Sequence, residues 1–106
     1  MKIELEKNLN SDLSRFFKML NKYSEEFNNI QDLFNYILDR MLKDKFECNQ
    51  TFKFSNNNSI MFTFQKLEHI NNITINYMIN IIVDEETLKI VGVTKSETKQ
   101  YNEIIF

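Results

Sequence analysis

The chain has 106 residues, of which 42% are hydrophobic and 26% charged, with a formal net charge of −2. That length fits one domain with one modest core, and the composition excludes an intrinsically disordered chain. A weakly acidic chain has no general electrostatic attraction to nucleic acid, and the single cysteine, Cys48, excludes an internal disulfide.

The opening "KIELE" places Ile3 and Leu5 on one face and suits a short edge strand. A helix is expected over about 11–27, because Leu13, Phe16, Phe17, Leu20, Ser24 and Phe27 recur at helical spacing. Asn10 or Ser11 can cap it, with Asp12 in the first turn. A second helix is expected over about 30–45, with Asn29 as N-cap and a stripe of Ile30, Leu33, Phe34, Ile37, Leu38, Met41 and Leu42.

After Phe46 the apolar period changes to two. Strands are expected over about 51–54, 59–67, 73–83 and 88–95, separated by "SNNN", "HINN" and "DEET". The tail "YNEIIF" offers a last strand or short helix. The pattern predicts a single α+β domain: two N-terminal helices packed on one face of an antiparallel meander sheet of about four strands. The inward set is then Phe52, Phe54, Ile60, Phe62, Phe64, Ile73, Ile75, Tyr77, Ile79, Ile81, Leu88 and Ile90. This order of elements is similar in layout to cystatin-like and NTF2-like sheets, without a shared motif.

The chemistry-bearing residues are few. Cys48 and His69 are the only residues of their kinds, and a nucleophilic pair would need them within hydrogen-bond reach. No family signature surrounds either. One His and one Cys cannot build a tetrahedral zinc site. Asp84, Glu85 and Glu86 lack the spaced ligands of a calcium loop and read as a hairpin turn. Gly92 is the only glycine, so no phosphate-cradling loop can form. Phe52, Phe54, Phe62 and Phe64, beside Lys53 and Lys66, could stack bases, but they share the parity of the core face. Neither catalytic, metal nor cofactor residues are therefore expected, and nucleic acid is not an expected partner.

Two surfaces remain. Met61, Met78, Ile82, Val91 and Val93 carry the parity opposite to the core set and form a candidate interaction face. Its covering is the chain's own termini, a second copy in a homodimer, or a target protein. Arg15, Lys18 and Lys22 line one side of the first helix and suit an acidic partner.

The chain has fifteen Asn, thirteen Ile and eleven Lys but no Ala or Pro, which follows AT-rich codons. The expected source is a phage, mobile element or low-GC bacterium. "MKIELEKNLN" contains no apolar signal segment and no run long enough for a membrane span, so a cytoplasmic protein is expected. The expected function is a non-enzymatic, protein-binding inhibitor acting by stoichiometric occlusion, an anti-defence protein of the anti-CRISPR kind. The alternatives are a toxin-neutralising immunity protein, an NTF2-like or cystatin-like ligand-binding domain or enzyme using His69 or Tyr77, and a structural homo-oligomerisation module.

Overall fold

The helices form where apolar residues recur every three to four positions. In the computed structural model, which describes residues 2–101 with side chains from residue 12 onward, α1 spans Lys2–Lys22 and α2 spans Ile30–Lys43, with a 3-10 turn at Ser24–Glu26 between them. The "KIELE" segment belongs to α1 and not to an edge strand. Two alternations are too short to define a strand, and Lys, Glu and Leu are strong helix formers. α1 passes unbroken through Asn10 and Ser11, so neither caps it. It also ends earlier than its stripe: Ser24 and Phe27 continue the buried side from the 3-10 turn, where the Phe27 N–H donates to the Ser24 carbonyl at 3.3 Å.

α2 begins as its sequence dictates. Asn29 is extended and its side chain accepts from the Asp32 N–H at 2.9 Å. Leu33, Ile37 and Met41 are fully buried at four-residue spacing, whereas Leu42, one step round the helix, points outward. The C-terminus is a Schellman motif: the Phe46 N–H donates to the Met41 carbonyl at 3.0 Å and the Lys45 N–H to the Leu42 carbonyl at 3.0 Å. Lys45 holds the left-handed position, φ 69°, that glycine usually fills. The reward is Phe46, which turns back onto Met41, both of them buried.

Four strands follow, β1 Glu47–Lys53, β2 Ser59–Ile70, β3 Ile73–Asp84 and β4 Ile90–Tyr101, in the spatial order β1-β2-β3-β4 with every pairing antiparallel. Asn71, at φ 53°, makes the two-residue turn from β2 to β3. Both helices lie on one face. Leu13, Phe16, Phe17 and Leu20 of α1 and the α2 stripe meet Phe62, Phe64, Ile79, Ile81 and Val83 in one core. Phe34 and Phe62 seal the contact with ring centroids 4.7 Å apart. The extents of 56 × 30 × 18 Å are those of one helical layer on one sheet. No helix among the described residues is long and apolar enough to cross a membrane.

Two single-residue bulges decide which side chains face the helices. Along β1 the register runs Cys48 opposite Phe64, then Gln50 opposite Thr63, leaving Asn49 as the extra residue. One inserted residue exchanges the faces of everything beyond it. Phe52 therefore pairs with Met61 on the open face, 47% exposed, and Phe54 packs edge-on to it at 5.2 Å. The expectation that Phe52 and Phe54 point inward is wrong for that reason. The second bulge, at Val91, lies between the Ile82–Gly92 and Val83–Ile90 pairs. It keeps Ile90 on the helix face and brings Val93 there too, packed against the core. Val93 thus leaves the open face on which its parity had placed it, and Val91 stands out at the bulge itself.

Two stability predictions follow from this geometry. Phe62→Ala should cost about 3–5 kcal/mol, and Phe52→Ala, one strand away but on the open face, under about 1 kcal/mol, measured by urea unfolding. Lys45→Gly should raise stability by about 1 kcal/mol by relieving the left-handed backbone, read as a higher urea midpoint at unchanged slope.

Candidate functional site

The open face of the sheet is built in rows, because antiparallel neighbours directly opposite one another share a face. The row Phe52, Met61, Ile82 and Gly92 runs across all four strands. Gly92 has no side chain there, and a Cβ built on it would lie 3.5 Å from Ile82 Cδ1, so Ile82 spreads over the glycine. With Phe54 at the margin, these side chains form an apolar cluster at one end of the face.

The next row is polar: Gln50, Thr63, Asn80 and Thr94. The Thr63 hydroxyl donates to Asn80 Oδ1 at 2.7 Å, and Asn80 Nδ2 donates to Thr94 Oγ1 at 3.1 Å. Beyond it Met78 lies between Gln65 and Ser96, and Asn76 between Leu67 and Thr98. The β2, β3 and β4 positions of these rows carry no Lys or Arg. Among the described residues no element lies over this face, since both helices pack on the other. The N-terminal segment belongs to α1, and the C-terminal "EIIF" lies outside the described residues.

The residues singled out as an interaction face are thus divided. Met61 and Ile82 adjoin, joined by Phe52 and Phe54, which sequence parity had assigned to the core. Met78 is half-buried on the same face but separated from them by the hydrogen-bonded polar row. Val93 is on the helix face and Val91 sits at the bulge. Arg15, Lys18 and Lys22 are exposed on α1, opposite its buried stripe. Lys18 lines a shallow groove between α1 and β4 with Ser14, Asn21 and Lys95, and the Lys22 ammonium lies 5.6 Å from the Tyr23 ring centroid.

The candidate nucleophilic pair does not assemble. Cys48 sits opposite Phe64 on the helix face, and His69 opposite Thr74 on the open face. The five-residue step along β2 from Phe64 to His69 separates them by about 17 Å. Partial burial pushes the Cys48 thiol up, only partly offset by its contact with the Gln50 carbonyl at 3.9 Å, which is the wrong direction for an activated thiolate. His69 Nδ1 is 3.0 Å from Thr74 Oγ1. Tyr77 is on the other face, its hydroxyl donating to Glu68 Oε2 at 3.3 Å. His69 and Tyr77 are therefore separate candidates on opposite faces of the sheet. Lys66 is also on the helix face, its ammonium 4.9 Å from the Phe46 ring centroid and 5.4 Å from that of Tyr77.

Asp84, Glu85 and Glu86 form a turn. Asp84 Oδ1 accepts from the N–H groups of Glu86 at 2.8 Å and Thr87 at 3.0 Å, and Asn58 donates to the Glu86 carboxylate. Lys53 reaches Glu85 at 3.5 Å. The three carboxylates diverge to separate partners, and among the described residues no group of three or more His, Cys, Asp or Glu could hold a metal ion. Comparison with protein-family models, curated proteins and solved structures finds no match for the chain.

The Thr87 and Glu86 N–H groups hold the Asp84 carboxyl below the ordinary aspartate range. A depressed folded-state pKa contributes stability that is present above the unfolded value and is lost as pH falls through the folded one. In an NMR titration Asp84 should have the lower midpoint relative to an unstructured aspartate, and Asp84→Asn should flatten that acid limb of the stability curve.

Proposed function

We propose that this chain is a non-enzymatic protein-binding protein that works by covering a partner's surface with the open face of its sheet. The observation that carries the reading is the cluster of Phe52, Phe54, Met61 and Ile82 on a sheet face that no described element covers. Phenylalanine and methionine are enriched in protein interfaces, where charge is depleted at the centre. An adjoining row of Thr, Asn and Gln suits the hydrogen-bonding margin of such a contact. The divergent carboxylates of the turn, the separation of Cys48 from His69 and the raised thiol all favour binding over chemistry.

AT-rich codon usage favours a phage or mobile-element setting, and there an anti-defence inhibitor, such as an anti-CRISPR, is the concrete form of the proposal. An immunity protein that occludes a toxin uses the same surface logic. An NTF2-like function would rest on His69 or Tyr77 singly, since the two lie on opposite faces of the sheet. In the low-GC host, tagged protein should retain one partner at one-to-one stoichiometry. Met61→Glu with Ile82→Glu should weaken that complex by about 30-fold or more at retained circular dichroism. Lys18→Glu, on the other side of the molecule, should leave it within about threefold. Equal loss with both variants would move the site away from the open face.

A further inference from the structure

We propose that β4 is a self-pairing edge and that two copies of this chain join through it, antiparallel, about a twofold axis at Ser96. β4 is the last strand of the sheet, twelve residues long and paired on one side only. The N–H of Asp84 donates to the Lys89 carbonyl, which sets the phase of the ladder: even residues of β3 bond towards β4. After the bulge, the even residues of β4 meet them, so Val93, Lys95, Glu97 and Lys99 turn their N–H and C=O groups to the free edge. At Ile90 that edge is already occupied. Asn21 donates to the Ile90 carbonyl at 3.0 Å and accepts from its N–H at 2.7 Å. From Gly92 onward no described group takes it.

The strand reads "VGVTKSETKQY", and about Ser96 its central residues are complementary, Lys95 level with Glu97 and Thr94 with Thr98, while further out Val93 falls opposite Lys99 and Gly92 opposite Gln100. A twofold antiparallel register centred there sets Lys95 against Glu97 of the second copy, and Glu97 against its Lys95. On the open face it sets Thr94 against Thr98, with Ser96 meeting itself. At each end it brings Val91 to Tyr101, which are 61% and 69% exposed in the single chain. Opposite charges, paired threonines and apolar–aromatic pairs are the favourable cross-strand combinations. Edge lysines ordinarily repel a second strand; here Glu97 stands between Lys95 and Lys99 and answers one of them from each copy. The register supplies about eight inter-strand backbone hydrogen bonds and joins two four-stranded sheets into one, with both sets of helices on the same side. β1, the other edge, is short and bulged at Asn49. The occupant is therefore a second copy, in preference to an unrelated extended peptide.

Analytical ultracentrifugation of the full chain should give a concentration-dependent dimer of twice 12.8 kDa. K95E and E97K should each raise the dimer dissociation constant by about tenfold or more, and K95E/E97K together should return it to within about threefold. In a C48S background, S96C should crosslink with its copy under mild oxidation, because the two positions face each other at disulfide distance. T94C, set opposite Thr98, should not. A monomer at every concentration, a dimer indifferent to K95E, or crosslinking of T94C as fast as S96C would overturn the proposal and leave the role of the open face standing.

Discussion

The two-residue period of a strand is the constraint on which this protein depends, because a single inserted residue exchanges its faces. β2 and β3 obey the period without interruption over twelve paired positions, so Phe62 and Phe64 meet Ile81 and Ile79 on the helix side. The flanking strands each break it once. At Asn49 the break turns two phenylalanines away from the core, and at Val91 it turns a valine towards it. The central hairpin is thus a fixed frame and the outer strands are adjusted against it. Bulges are found at sheet edges for this reason: an edge strand has only one partner to keep in register.

That adjustment gives the sheet two different faces. The helix side collects large aliphatic and aromatic groups and excludes water, each contributing roughly 1.5–3 kcal/mol before the entropy of ordering is subtracted. The open side receives what the bulge sends it, and Phe52, Phe54, Met61 and Ile82 concentrate at one end. Had β1 kept its register, Phe52 would lie towards the helices and the open face would keep Met61, Leu67, Met78 and Ile82 without the phenylalanines. The apolar cluster is therefore a product of backbone geometry as much as of composition.

The helices, the change of period after Phe46 and the order of the strands were legible in the sequence because each rests on a repeated pattern. Asn29 was legible as a cap because it directly precedes a strong apolar stripe. The bulges were not. In "FECNQTFKF" the apolar and sulfur-bearing residues Phe46, Cys48, Phe52 and Phe54 all share one parity, so an unbroken strand is the natural reading. Only the pairing with β2 reveals the extra residue. The opening segment misled differently: Ile3 and Leu5 alternate, yet Lys, Glu and Leu around them favour helix, and over five residues propensity outweighs pattern. Of the candidate site, Met61 and Ile82 were read correctly as opposite to the core, whereas their phenylalanine neighbours were out of reach.

The polar row across the open face explains how β3 tolerates its own sequence. Ile81, Ile82 and Val83 are consecutive apolar residues, so near that end a one-residue slip exchanges one aliphatic group for another and costs little in burial. The hydrogen bonds from Thr63 to Asn80 and from Asn80 to Thr94 tie three strands at one level. A slip of β3 by one residue would replace Asn80 by an isoleucine, Ile79 or Ile81, in that row and leave the buried Thr63 hydroxyl without its acceptor. Register is thus secured from the open side by polar pairing and from the helix side by packing. This division leaves the apolar cluster beside the ladder largely free of a structural duty, which is the physical basis for proposing it as a recognition surface.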